Sequence, residues 1–475
     1  MNRSPQFTRR SLVILAVILN ASLLFVVLPE LSGRLHPMYN QDEYADGYDQ
    51  LATNLVEGRG YRMYPDTAPT MVREPGYPML LAGIFLVFGK RFVVVKTVNM
   101  LLAFGTAWLM TRISRRLSAS HVLTMGAPLL FLFHPGTLTA ESRGGVEVLF
   151  TFLLMLFVLT LYRAIEGDRW SDYLWSGVAL GATVLVKSTP MLFPVCLLAY
   201  LWVFERRSSI QRSCLHVAVM TAAMFLVLTP WIVRNYALTG KFIPTATVLG
   251  VSAHAGQYVN THLPADESWA LVDREAARER RRIAEELGLH FKDVKNAYYQ
   301  DFYSSDDEVK FSNYLFKQVV EEYEKSPMVF VKCVRSNLFN LWFRGKTRNA
   351  TMLNVIVQLP YLVLSVIGVI VAVRNGQIKL IAPIALLLVY VVPVYVVILA
   401  QARYSVPLIP FLSILAAISL VAAQKKLQGA RLTNSCREVE HAVTTFLFRV
   451  WHQIPAMSAL RGSAVNPDGT DPQRP

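Results

Sequence analysis

Apolar runs close to the length of a bilayer-crossing helix recur along this chain. The first is SLVILAVILNASLLFVVLP (11–29); others fall at 92–111, 121–134, 146–164, 173–187, 190–204, 214–231, 352–373, 378–399 and 404–423. A helix of ~20 apolar residues satisfies its own backbone polar groups while crossing the hydrocarbon core. Runs of this kind predict an all-α fold: a polytopic transmembrane helical protein of about ten spans. Of its 475 residues 53% are hydrophobic and only 17% charged, whereas a soluble domain is about a quarter charged.

The net charge of +14 would suggest a nucleic-acid partner in a soluble chain. Here the basic residues gather in loops, as the positive-inside rule demands, and no nucleic acid is implied. Arg9 and Arg10, Arg112, Arg115 and Arg116, Arg163 and Arg169, Arg206 and Arg207, Arg374 and Lys379, and Lys425 and Lys426 all fall inside when ten spans alternate. The apolar stretch 76–88 is only GYPMLLAGIFLVF; counting it as a span would invert every later loop. It is therefore expected to lie at the outer surface rather than cross. The first run is longer than a usual signal core and lacks a small-residue cleavage site, so it reads as an uncleaved span. Cys196, Cys214, Cys333 and Cys436 show no paired spacing, which gives neither a disulfide framework nor a zinc site.

Two outer polar regions result, 30–91 and 232–351. The second holds helical text at 268–288, ended by Gly288, and at 306–327, ended by Pro327. The stretch 330–343 mixes apolar and basic residues as a helix lying along the membrane would. The expected organisation is an N-terminal membrane module with the first outer loop (1–231), an outer helical loop (232–351), C-terminal spans (352–423) and a basic, partly disordered cytoplasmic tail (424–475).

Charges near lipid are costly and need a reason. Just after the first span the chain reads NQDEYADGYDQLATNL. As a helix it would place Asp42, Asp46 and Asp49 on one face and Tyr44, Tyr48, Leu51 and Leu55 on another. Asn40 to Glu43 also has the form of a capping box, which suits carboxylates without any chemistry. Further polar residues reach the outer side: Glu141, Arg143 and Glu147 in HPGTLTAESRGGVE, Lys187 in VKSTP, Arg234 and Asn235 in TPWIVRNY, and Arg403 in QARYSVP. Each breaks the positive-inside trend. A single arginine there reads as a snorkelling side chain. Several converging with carboxylates point to a site for an anionic headgroup.

These stretches, in order, resemble the bacterial and archaeal relatives of the dolichyl-phosphate-mannose protein mannosyltransferases, glycosyltransferase family 39 of the membrane-embedded C superfamily. The resemblance is carried by DEYADGYDQLATNLVEGRGY (42–61), REPGYPMLLAGIFLVFGK (73–90), HPGTLTAESRGGVEVLF (134–150), GVALGATVLVKSTP (177–190), TPWIVRNYALTGKFIPTATVLG (229–250) and RYSVPLIPFLSILAA (403–417). It leaves the long outer loop and the tail uncovered. It implies a C-superfamily glycosyltransferase fold and a donor made of a sugar on a polyprenyl phosphate, used on the extracytoplasmic side of the cell membrane. The family's essential carboxylate maps to Asp42 and its second acidic position to Glu147, with Glu43 and Glu141 as alternatives. Lys187 stands where relatives often carry arginine, which keeps the charge but loses the bidentate fork.

Phosphate is a ready leaving group whose growing charge needs stabilising; Arg73, Lys187, Arg234 and Arg403 suit that role. A carboxylate suits the deprotonation of an acceptor hydroxyl, and Asp42 is the expected base. Tyr44, Tyr61 and Asn235 are the expected contacts to sugar or lipid. The expected partners are a polyprenyl-phosphate-linked sugar, a glycan, lipid or protein acceptor, and membrane lipids. No cofactor is implied; no His/Cys cluster indicates a metal, although a carboxylate-bound divalent ion stays compatible. Two rival readings are a lipid or sugar transporter or flippase, and a ligase or polymerase acting on diphosphate-linked glycans. A transporter would keep charges near the midplane, often in two related halves; here the polar residues favour one face.

Overall fold

The computed structural model describes residues 9–28, 47–204, 209–262, 269–292, 301–345 and 347–432. It divides into two compact units, Met1–Ser419 and Leu420–Pro475. The described residues are helical, without a β-strand; one isolated bridge pairs Phe291 with Phe302. The helices, in chain order, are α1 (Arg9–Ser22), α2 (Tyr48–Val56), α3 (Gly76–Phe88), α4 (Phe92–Leu117), α5 (Ala127–Leu132), α6 (Pro135–Ser142), α7 (Val146–Gly167), α8 (Trp170–Val184), α9 (Phe193–Phe204), α10 (Ile210–Thr239), α11 (Val248–His262), α12 (Trp269–Glu286), α13 (Ser305–Lys325), α14 (Pro327–Trp342), α15 (Arg348–Arg374), α16 (Ile378–Ile398) and α17 (Ile409–Leu432).

The chain is a multi-pass membrane protein. Six described helices are long and apolar enough to cross a bilayer: Phe92–Leu117, Val146–Gly167, Ile210–Thr239, Arg348–Arg374, Ile378–Ile398 and Ala402–Lys426. The pair Val122–Leu132 and Pro135–Ser142, bent by 50°, passes the same test only when taken together, as a broken span or a re-entrant loop. Pro135 lacks an N–H for the helical ladder, so the bend falls there. The other expected spans are helical but short: α8 has 15 residues, α9 has 12, and α1 passes into a π-helical turn at Leu23–Val27. The stretch 76–88 is helical over the expected residues.

Small residues let the spans approach. Gly177 and Gly181 lie against α10, where a Cβ on Gly177 would overlap the Met220 carbonyl and one on Gly181 would sit 2.9 Å from that of Met224. In the second polar region the expected helices form as α12, α13 and α14. The outward face of α14 carries apolar residues beside Lys332 and Arg335. Cys333, Asn337 and Asn340 are buried, while Met328, Val331, Leu338 and Phe339 are exposed. An apolar outward face is what a helix lying against lipid requires.

One expected element is described only in part. Gly47 adopts φ 73°, and α2 starts only at Tyr48. The part of the expected helix that would carry Asp42 and Asp46 lies outside the described residues. Asp49 falls in the first turn of α2, where a carboxylate suits the helix dipole, and pairs with Lys90 at 2.9 Å.

Candidate active site

Three elements meet at Glu147. The His134 ring caps α6, its Nδ1 accepting from the Gly136 N–H at 3.0 Å. After Ser142 the chain turns through Gly144 and Gly145 into α7, placing Glu147 in the first helical turn. The dipole of α7 favours a carboxylate there. Glu147 is 5% exposed, and its Oε1 accepts no hydrogen bond among the described residues. Two cations face that oxygen at ion-pair distance: Lys187 Nζ at 3.9 Å and Arg403 Nε at 4.0 Å.

Each cation is delivered by a break in helical structure. Lys187 follows the end of α8 and precedes the short helix Thr189–Leu192. Arg403 lies in the 3₁₀ segment Ala402–Leu408 that follows the extended residue Leu399. Tyr404 joins them, with Lys187 Nζ 4.5 Å and Arg403 Cζ 5.4 Å from its ring centre. Its ring stacks on Tyr395 at 5.2 Å. Gln401 Oε1 accepts from Arg403 Nε at 2.9 Å. The Lys187 side chain is 15% exposed and that of Arg403 35% exposed, so the cluster opens on the Arg403 side.

A second carboxylate, missed by sequence reasoning, stands behind Lys187. Glu74 is 5% exposed, and its Oε1 accepts from the Ser188 N–H at 3.0 Å. Beside it the Gly76 N–H donates to Leu185 O at 2.7 Å. The segment REPG (73–76) is thereby fixed to the turn that presents Lys187. The usable signal was a carboxylate between Arg73 and Pro75, at the start of an apolar helix.

The other expected residues sort differently. Arg73 is buried with its Cζ 4.9 Å from the Tyr48 ring centre; Tyr48 meets Tyr77 edge-on, and the Tyr77 hydroxyl donates to Gly144 O in the turn before Glu147. Arg234 donates to Thr70 O at 2.9 Å, Asn235 Oδ1 at 3.0 Å and Tyr61 O at 3.2 Å, and stacks 4.5 Å from the Trp231 ring centre. Tyr61 is buried and its hydroxyl reaches the carbonyls of Arg73 and Glu74, each at 3.1 Å; burial holds its phenol well above the usual range. Asn235 is fully buried and donates to Ile243 O at 3.0 Å. Tyr61, Arg234 and Asn235 therefore brace the segment that carries Arg73 and Glu74. Glu141 is fully buried in α6, with Asn20 beside its carboxyl, and no described contact joins it to Lys187 or Arg403. Asp42, Glu43, Tyr44 and Asp46 lie outside the described residues. Among the described residues no group of three or more His, Cys, Asp or Glu side chains is placed to hold a metal.

Residues 69–233 match the family model of the dolichyl-phosphate-mannose-protein mannosyltransferases. The resemblance read from the motifs holds over that stretch. It contains Arg73, Glu74, Glu147 and Lys187, with Arg234 and Arg403 beyond it. The archaeal oligosaccharyltransferase AglB from Archaeoglobus fulgidus, solved with an inhibitory peptide and a dolichol-phosphate, matches with a TM-score of 0.50 and 13% identity. The alignment covers 89% of this chain and 51% of that one, so this chain spans about half the length of AglB. At that identity the match shows a shared helical membrane fold with AglB and nothing finer. ArnT from Cupriavidus metallidurans, bound to undecaprenyl phosphate, matches with a TM-score of 0.41 and 12% identity over 87% of this chain and 78% of its own. Its apo state gives 0.37 and 12% over 86% and 77%. No curated protein matches the sequence.

Proposed function

We propose that this protein is an inverting glycosyltransferase that moves a sugar from a polyprenyl-phosphate donor to a hydroxyl acceptor at the extracytoplasmic face of the cell membrane. The observation that carries the reading is the meeting of Lys187 and Arg403 on the buried Glu147. Lys187 and Arg403 bring two cations to one place, and the Arg403 side chain is 35% exposed there. That is the electrostatic environment a departing lipid phosphate needs. The family match over 69–233 and the dolichol-phosphate found in AglB favour the same donor class.

In the proposed step the acceptor oxygen attacks the anomeric carbon on the face opposite the phosphate. The bond from that carbon to the phosphate oxygen breaks, and the phosphate leaves with the electron pair toward Lys187 and Arg403. Asp42 takes the acceptor proton. Glu147 holds the two cations at one place through the transfer, and Glu74 fixes the backbone beside Lys187. Arg234, Tyr61 and Asn235 act as the frame for Arg73 and Glu74. The acceptor class stays glycan, lipid or protein, and the sugar a hexose or pentose.

The test is a transfer assay comparing sugars on polyprenyl monophosphate with those on diphosphate. Lys187→Ala and Arg403→Ala are expected to lower transfer by about 100-fold each, the usual loss on removing one preorganised charge-stabilising group. Asp42→Asn is expected to abolish transfer while the protein still accumulates in the membrane. Near-normal rates in both cation variants would remove the cluster from the mechanism, and use of diphosphate donors alone would favour the ligase reading.

A further inference from the structure

The second polar region meets the site through three buried asparagines. Asn337 and Asn340 lie on α14 and Asn260 on α11; their exposures are 0%, 2% and 6%. Asn340 Nδ2 donates to Asn260 Oδ1 at 3.0 Å, and Asn260 Nδ2 donates to Asn337 Oδ1 at 2.8 Å. Asn337 then closes the chain on backbone. Its Nδ2 donates to Val396 O at 2.9 Å, and its Oδ1 also accepts the Ala400 N–H at 3.3 Å.

Those two backbone groups straddle a break. Val396 lies in the last turn of α16, where carbonyls lose their helical partners. Ala400 follows the extended Leu399, whose φ is −158°. Three residues on stands Arg403. Asn337 therefore grips both sides of the joint from which Arg403 is launched, and it needs a donor and an acceptor at once. Among neutral side chains of this size an amide supplies both. A second contact fixes the same joint: Gly256 of α11 lies so close to Ile398 O that a Cβ would overlap it. Buried amides are costly unless every group is used; a contact needing packing alone would be apolar.

We infer that Asn337, backed by Asn260 and Asn340, is a positioning residue for Arg403, through which the 232–351 region sets the donor-phosphate end of the site. The inference rests on the reading of Arg403 as a phosphate-binding cation.

The experiment measures binding of undecaprenyl phosphate to the full-length protein in nanodiscs, for wild type, Arg403→Ala, Asn337→Ser, and the double variant. Asn337→Ser is expected to weaken binding about tenfold in the wild-type background, the scale of one buried hydrogen-bond defect. In the Arg403→Ala background the same change is expected to cost less than about twofold, because coupled residues are not additive. A merely structural role would weaken both backgrounds equally, and that result, or unchanged binding, overturns the inference. Failure of wild type to bind, or unaltered binding by Arg403→Ala, overturns the reading of Arg403 instead. If Asn337→Ser does not fold, Asn340→Ser carries the same comparison two hydrogen bonds further out, with a smaller loss expected and additivity again decisive.

Discussion

The Glu147 carboxylate lies over Gly145, in space that a side chain at 145 would take. A Cβ at 145 would stand 2.5 Å from Glu147 Oε2 and 3.3 Å from Ala140 O. One of those neighbours is fixed backbone, so the carboxylate must move. Gly145→Ala is therefore expected to cut transfer at least about tenfold, as small misplacements of a charged group do, with little change in thermal midpoint. A larger loss of stability than of activity would count against this account. The three residues of the cluster were legible as basic or acidic side chains placed against the positive-inside trend. What separated them from Arg234 was not legible. All four are charged residues next to apolar runs, but only the fold shows that Arg234 spends its donors on Thr70, Tyr61 and Asn235. Glu74 escaped notice because it touches Ser188, 114 residues away.

At the scale of elements, apolar runs and stop signals gave most helices to within a few residues, including α12, α13 and the short α3. The failures have local causes. Pro135 bends the pair Val122–Leu132 and Pro135–Ser142, and Gly47 in left-handed backbone precedes the start of α2, with residues 40–46 outside the described residues. The approach of α8 to α10 rests on Gly177, whose added Cβ would meet Met220 O and Ala223 Cβ. Gly177→Val should lower the thermal midpoint or abolish accumulation, since overpacking a fixed backbone contact costs ~1–3 kcal/mol or more; an unchanged melt would show that the helices part freely. The loop between α12 and α13 supplies a pH dependence. Burial and the nearby Glu308 push the Asp301 carboxyl from 3.8 up to about 7, against the opposing pull of Lys292. Between about pH 4 and 7 the folded state then holds a proton the unfolded chain has released. Stability from this group is full below pH 4, declines as pH rises toward 7, and is flat above. Asp301→Asn should remove that slope, read as thermal midpoint against pH; a wild-type slope surviving in the variant would assign it elsewhere.

Across the larger unit, Met1–Ser419, the two polar regions are welded into one body rather than hung as separate loops. Ala68 N–H donates to Phe302 O at 3.0 Å, Ser305 Oγ to Pro69 O at 2.6 Å, Thr247 N–H to Met71 O at 2.9 Å, and Lys292 pairs with Asp66. At the centre is Glu308, 8% exposed, accepting from Thr70 Oγ1 at 2.6 Å, from the Met71 N–H at 2.9 Å and from Thr247 Oγ1. Burial raises its pKa while those donors and Arg234 oppose the rise. None of these pairings could be read from sequence, because each partner is a commonplace residue whose mate lies 61 to 238 positions away. Their consequence is that the segment holding Arg73 and Glu74 depends on α13 for its position. Glu308→Ala strands three buried donors, at a cost of ~1–3 kcal/mol for each left unsatisfied. Amide exchange is expected to rise together in 61–74, 245–251 and 301–312, while the spans α7, α10 and α16 keep their protection. Glu308→Gln should fall between, since its amide keeps one acceptor but presents N–H groups to donors. Faster exchange confined to 301–312 would mean that the polar regions fold independently, and the route from α13 to the Lys187 turn through Thr70, Met71 and Glu74 would then be broken.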